Sequence, residues 1–215
     1  MSRCCDPREY DVVFTDRYAR RTARRLRDSG LDDIAGQMVD FLTKQGLEAA
    51  SVLEIGGGVG GLQMELLRRG AARATNVELS TAYDAEAAQL LAAAGLRGRV
   101  DRRIVDIAAG SASVAPADVV VLHRVVCCYP DYRALLGEAA DHARRALAFS
   151  YPRPHLLTRG QTMLENVGYA VRRQEFRTFV HSPEAMSAVL AEHGLVAVAG
   201  ARSRMWQWTG AVRNR

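Results

Sequence analysis

Apolar positions first recur at helical spacing. Within residues 16–28, Tyr18, Ala19, Ala23 and Leu26 form a stripe among arginines, and within 32–45, Ile34, Met38, Phe41 and Leu42 stand about one turn apart. Both segments are expected to be amphipathic helices. From residue 51 the period changes. Residues 51–55 are a short apolar β-type run closed by glycines, and 62–69 follow with a helical pattern. The alternation continues with a strand at 74–77, a helix at 82–94, strands at 100–105 and 118–122, a helix at 132–145 and a strand at 146–150. Strands separated by helices build right-handed βαβ units, whose parallel sheet is covered on both faces. The expected fold class is doubly wound α/β.

The tail departs from this alternation. Residues 152–181, with Pro152, Pro154 and Gly160, read as irregular or partly helical, a cap over a site. Ser182-Pro183-Glu184 then signals a helix start and Gly194 its end. Residues 195–202 and 205–212 suit two adjacent antiparallel strands joined by a short connection.

Composition adds bounds. The 215 residues are 48% hydrophobic, 25% charged and 7% aromatic, ordinary globular usage and enough chain for one domain. The longest stretch without Asp, Glu, Lys or Arg is Ile107 to Ala117, eleven residues including a proline. A spanning helix needs roughly 20 apolar residues, so no membrane span is expected. The first ten residues mix arginines and acids without an apolar core, unlike a secretory signal. The cysteines form two adjacent pairs, Cys4-Cys5 and Cys127-Cys128, a poor layout for a disulfide framework. Reduced thiols and a cytoplasmic location are the expectation.

The net charge of +5 is arginine-based, since Lys44 is the only lysine. Six arginines fall between Arg17 and Arg27, but the apolar stripe among them indicates a solvated helix with one buried face rather than a polyanion-binding arm. Nucleic acid is not an expected partner.

The chemistry centres on Val52-Leu53-Glu54-Ile55-Gly56-Gly57-Gly58-Val59-Gly60-Gly61. A strand ending in glycines where a helix begins lets a ligand approach the backbone closely. Gly56, Gly58 and Gly61 satisfy the dinucleotide fingerprint, while Glu54, Gly56, Gly58 and Gly60 spell E-x-G-x-G-x-G. Three acids at successive strand ends separate these readings. Glu54 in the turn would repel a pyrophosphate but suit the ammonium of an amino-acid moiety such as that of adenosylmethionine. Glu78 can accept from both ribose hydroxyls, and Asp106 from an adenine amine, with Leu79 and Ile107 as apolar faces for the ring.

On these residues the chain resembles the class I S-adenosylmethionine-dependent methyltransferases over roughly residues 50–212. The segments 125–131 and 148–152 are most similar to the branch of magnesium-protoporphyrin and ubiquinone-type O-methyltransferases. The resemblance implies a Rossmann-like, mostly parallel seven-stranded sheet ending in an antiparallel hairpin, behind an N-terminal helical extension. It implies a single domain divided into an N-terminal cap (1–48), a cofactor-binding core (49–151), a substrate-side cap (152–181) and a terminal helix with hairpin (182–215). S-adenosylmethionine would be the cofactor, with S-adenosylhomocysteine as product and a small-molecule methyl acceptor, a specialised metabolite, as substrate.

Glu54, Gly56, Gly58, Gly60, Glu78, Leu79, Asp106 and Ile107 are then the expected cofactor contacts. His123 follows the fourth strand, where this fold faces the transferred methyl, and is a candidate general base or a passive lining residue. Tyr129 is a substrate-side catalytic candidate, and Asp131 reads as a helix cap. Tyr18 is either a lid over the cofactor or a core residue, and His181 either faces the cleft or sits in a surface turn. Convergence of Cys4, Cys5, Cys127 and Cys128 would make a soft-metal site. Two alternatives accompany this reading. A nicotinamide-dependent oxidoreductase would need a catalytic Tyr-Lys pair or a second substrate domain, and a non-catalytic adenosylmethionine- or metal-binding module would use the paired cysteines.

Overall fold

Seven strands form one sheet: β1 (Ser51–Ile55), β2 (Arg73–Glu78), β3 (Val100–Ile104), β4 (Ala117–Leu122), β5 (Ala143–Pro152), β6 (Leu195–Arg202) and β7 (Trp206–Arg213). Their order is β3-β2-β1-β4-β5-β7-β6. β1 to β5 run parallel, and β7 is antiparallel to both β5 and β6. The structure, a computed structural model, describes residues 7–110 and 113–214. Mostly parallel sheet with a closing antiparallel hairpin is the architecture expected from the strand pattern and the family resemblance.

The central strands are apolar along their length because both faces are covered. Val119 and Val121 of β4 join the core that includes Met38, Leu42, Leu66 and Leu67, whereas Val120 and Leu122 join the core of Leu136, Leu147, Met186 and Leu190. This is the two-residue period of a strand sorting side chains to opposite faces. The helices α4 (Gly61–Arg68), α5 (Asp84–Ala93), α6 (Tyr132–Asp141) and α8 (Pro183–Glu192) lie between strands in the chain. The N-terminal helices are α1 (Pro7–Val13), α2 (Asp16–Ser29) and α3 (Asp33–Lys44). From β1 the chain winds one way to β3 and then returns to β4 on the other side of β1. That reversal opens a crevice at the carboxyl ends of β1 and β4, where open α/β sheets bind ligands.

Besides the short helix α1, which the apolar pattern does not mark, the structure differs from the sequence pattern in two places. The helix after Pro130 ends at Asp141 rather than 145, because β5 begins at Ala143, where it pairs with Ala117 of β4. Alanine and arginine at 143–145 suit either state, and the sheet pairing decides between them. Within 152–181 an ordered helix, α7 (Leu156–Val171), replaces much of the irregular segment. Its N-cap is His155, whose ring accepts from the Thr158 amide, so none of the usual Ser, Thr, Asp or Asn signals marks its start.

Candidate functional site

The turn after β1 is a series of left-handed glycines, with φ of 63° at Gly56, 54° at Gly58 and 84° at Gly60. Gly56 donates its N–H to Val77 O at 2.7 Å, which ties the turn to β2. A Cβ at Gly56 would come within 2.5 Å of Val125, so this position requires glycine on steric grounds as well. Glu78, at the end of β2, binds the turn from the other side. Its Oε2 accepts from Gly58 N at 2.8 Å, and Oε1 accepts from Leu79 N at 2.8 Å and Ser80 N at 3.3 Å.

Beneath the turn lies a buried polar cluster. Arg102 donates to Gly58 O at 2.8 Å, Asn76 Oδ1 at 3.0 Å and Asp84 Oδ1 at 2.6 Å, and holds the turn from below. Glu54 belongs to this cluster, which corrects its expected role. It is 1% exposed, does not line the cavity, and accepts through Oε2 from Gln63 N at 3.1 Å, in the first turn of α4. Burial pushes its carboxyl up to about 8, against the Gln63 amide and the Arg102 charge, which pull it down. The strand alternation turns this side chain under the glycines instead of into the crevice. Gly60 also lies outside the lining, as the residue before α4.

Above the turn is a cavity of about 520 Å³, within the usual range for small-ligand sites. Gly56, Gly58, Glu78, Leu79, Asp106, Ile107, His123 and Tyr129 all line it, and Tyr18 stands at its rim, 48% exposed. Tyr18 is therefore not a core residue. It meets Phe14 edge-on at 5.6 Å and Tyr83 at 6.4 Å, and Phe176 closes the same aromatic roof against Tyr10 and Phe14 at 5.7 Å each.

Asp106 accepts from Ala108 N at 3.1 Å and from the Tyr129 hydroxyl at 3.0 and 3.2 Å. The Tyr129 hydroxyl is thus engaged at the end of β3, which argues against its use as a substrate-side base. His123 is held at both nitrogens. Nδ1 is 3.0 Å from Ser150 Oγ, and Nε2 is 3.3 Å from Asp32 Oδ2. Ser150 Oγ already accepts from Arg124 N at 2.9 Å, so its hydroxyl is set to donate to Nδ1. The hydrogen-bond network then assigns the ring proton to Nε2, facing Asp32. Both ring nitrogens of His123 are thus engaged within the protein. Burial alone would raise the Asp32 carboxyl, but bonds from His123 and the Ala35 amide, with the Arg124 charge, hold it well below the usual carboxylate range. Arg124 bonds the same Oδ2 at 2.7 Å and stacks over Trp206 at 4.7 Å.

Asp131 caps α6 through Ala134 N at 3.0 Å, as its position before the helix suggests. His181 packs between Tyr132 and Phe179 and bonds Val126 O, away from the cavity lining. Cys4 and Cys5 lie outside the described residues. Cys127 and Cys128 place their sulfurs 3.5 Å apart, and both also reach Arg124 O. The bond to Cys127 and burial push the Cys128 thiol up. Among the described residues no group of three or more His, Cys, Asp and Glu side chains is placed to hold a metal ion. Lys44, exposed at the end of α3, is not in the cavity, so the Tyr-Lys pair of an oxidoreductase is missing there.

Asp32, Ser150, Arg102 and the roof residues Tyr10, Phe14 and Tyr83 were not singled out from the sequence. For Asp32 the signal available was a helix cap, which says nothing of a partner at residue 123.

A family model described as a methyltransferase domain matches residues 16–199. A search of curated proteins finds no match. Among solved structures, magnesium protoporphyrin IX methyltransferase from Synechocystis PCC 6803 with bound S-adenosylhomocysteine aligns with a TM-score of 0.74 at 22% identity, covering 97% of this chain and 100% of that one. An O-methyltransferase family 2 protein from Planctomyces limnophilus, in complex with apigenin, aligns at 0.69 and 18% identity over 93% of this chain and 62% of that one. Geranyl diphosphate C-methyltransferase from Streptomyces coelicolor aligns at 0.63 and 14% identity over 83% and 77%. The chain belongs to the methyltransferase-domain family, and its fold is that of the class I S-adenosylmethionine-dependent methyltransferases.

Proposed function

We propose that this enzyme transfers the methyl group of S-adenosylmethionine to a small-molecule acceptor, a specialised metabolite, and releases S-adenosylhomocysteine. The observation that carries this reading is the pair of carboxylates Glu78 and Asp106, at the ends of adjacent strands, in the wall of one cavity beside the glycine turn. This donor set fits the cofactor. Glu78 would accept from the ribose hydroxyls and Asp106 from the adenine amine, with Leu79 and Ile107 against the ring. Arg21 and Arg25, one turn apart on α2 and both lining the cavity, would meet the methionyl carboxylate, and Asp32 supplies the negative charge expected of Glu54. The solved neighbours named above carry S-adenosylhomocysteine, a flavone or a prenyl diphosphate, all small molecules.

The bound cofactor supplies an activated methyl on a positive sulfonium. The chain's own part is alignment and exclusion of water. Tyr129 fixes the Asp106 carboxylate, Glu78 fixes the glycine turn, and the roof of Tyr10, Phe14 and Tyr18 shields the cavity. His123, locked between Ser150 and Asp32, forms a rigid edge where β4 ends. The division of the chain into caps and core at residues 48, 151 and 181 belongs to the same reading, as does a cytoplasmic setting in which Cys127 and Cys128 remain thiols. No helix among the described residues is long and apolar enough to cross a membrane.

Calorimetric titration with S-adenosylmethionine, S-adenosylhomocysteine and NAD(H) in parallel tests the reading. Micromolar binding of the first two and none of the third is the expected result. Binding of NAD(H) alone would overturn it.

A further inference from the structure

α7 turns its apolar side away from the protein. Leu156, Leu157, Met163, Leu164, Val167 and Val171 are between 51% and 87% exposed, while the buried residue of the helix is Thr158. At about 100° per residue these six side chains fall within an arc of about 120°. The opposite, more polar side faces the protein. Asn166 exchanges hydrogen bonds with the backbone of Thr178 at 2.8 Å each way, and Tyr169 meets Phe176 edge-on at 5.2 Å. A surface helix ordinarily does the reverse, with its apolar stripe against the core.

Charge indicates what covers the stripe. Arg159 and Arg172 stand beyond its two edges, about 40° and 60° outside the apolar arc on the same helical geometry. Arg173 follows directly. None of the three takes part in an ion pair among the described residues. The one acid of α7, Glu165, is turned toward Gln161 and Thr178. A second copy seated here would bring two chains of net charge +5 together, and like charges are disfavoured. An anionic lipid surface satisfies both features. The leucines and valines enter the acyl boundary while the arginine heads reach phosphate, the arrangement of an in-plane interfacial helix.

We propose that α7 is an interfacial helix that seats this protein on anionic lipid surfaces. At 16 residues it is about 24 Å long and lies in the surface rather than across it. The proposal is independent of the methyl-transfer reading.

Co-sedimentation of the full chain with phosphatidylcholine vesicles, with and without phosphatidylglycerol, tests it alongside size-exclusion chromatography with light scattering. The expected result is binding to the anionic vesicles at low salt that weakens as salt is raised. The double variant Leu157→Glu/Leu164→Glu should weaken it about tenfold or more, and Arg159→Glu/Arg172→Glu several-fold, with S-adenosylmethionine affinity unchanged in both. Failure of the chain to bind anionic vesicles would overturn the proposal. So would undiminished binding by the leucine variant, which would move the contact to the arginines of α2. A dimer in solution that Leu157→Glu/Leu164→Glu dissociates would assign the stripe to a second copy instead.

Discussion

Asp32 Oδ2 stands 3.3 Å from His123 Nε2 and joins the start of α3 to the end of β4. The same carboxylate caps α3 through Oδ1 and takes the Arg124 guanidinium. One side chain therefore fixes the N-terminal helices against the strand end on which the methyl-transfer chemistry is proposed.

Replacement Asp32→Asn keeps the cap, since asparagine caps as well as aspartate, but removes the charge. The carboxyl is depressed in the folded state, so its contribution is present above the unfolded pKa and is lost as pH falls through the acid range. The variant should be less stable than the wild type by about 1 kcal/mol at pH 7, a gap that begins to narrow as pH falls below about 4. Denaturation at pH 7 and pH 3 measures both. Equal stability at neutral pH would mean that the link to His123 and Arg124 contributes nothing.

Glu54 has the opposite sign. Its folded carboxyl, near 8, lies above the unfolded value, so folding favours the protonated form and stability declines from about pH 4.5 to pH 8. Glu54→Gln keeps an acceptor for the Gln63 amide without a titrating proton. It should gain on the order of 2 kcal/mol over the wild type at pH 9 and little at pH 5. Parallel slopes of melting temperature against pH for the two proteins would show that Glu54 does not titrate as described.

The contrast between these two acids shows what was legible in the chain. β1 and β6 coincide with their predicted ranges because the apolar run of β1 is closed by glycines and β6 starts directly after the Gly194 helix stop. The place of Glu78 and Asp106 in the crevice wall is also legible, since a residue at a strand end faces the crevice whatever its rotamer. Glu54 stands one residue before the end of β1, and its direction depends on strand phase against the buried cluster of Asn76 and Arg102. Asp32 and Ser150 enter through partners far away in sequence, which spacing cannot reveal. α7 was hidden for a different reason: Pro152, Pro154, Gly160 and Gly168 interrupt the pattern, and His155 is an unusual cap.

Tyr129→Phe removes the hydroxyl that donates to Asp106 and leaves the ring in place among buried neighbours. The carboxylate then loses one of the bonds that orient it toward the expected adenine position. A hydroxyl bond to a carboxylate is worth about 1.5–3 kcal/mol, and with part of that felt at the ligand S-adenosylhomocysteine affinity should fall several-fold, with kcat at saturating cofactor nearly unchanged. A large loss of kcat with unchanged affinity would restore Tyr129 to the acceptor side.

Gly58 combines several demands at one position. Its φ of 54° is left-handed, its N–H serves Glu78, and its carbonyl takes Arg102. A Cβ there would meet Tyr83 at 3.4 Å, an ordinary contact, so the protein itself could accommodate the added atom. The difficulty lies in the backbone and in the cavity. A left-handed non-glycine residue costs roughly 1–2 kcal/mol, and a β-branched one more. If the backbone relaxes, the Gly58 amide leaves Glu78, and the carboxylate that faces the ribose position is freed to turn. If it does not relax, the valine side chain adds bulk to a wall of the cavity. Either path should abolish S-adenosylmethionine binding in Gly58→Val, while Gly58→Ala, with less bulk, should weaken it. Calorimetric titration with melting curves separates lost binding from lost folding, and normal binding by a folded Gly58→Val protein would displace the cofactor site from this turn.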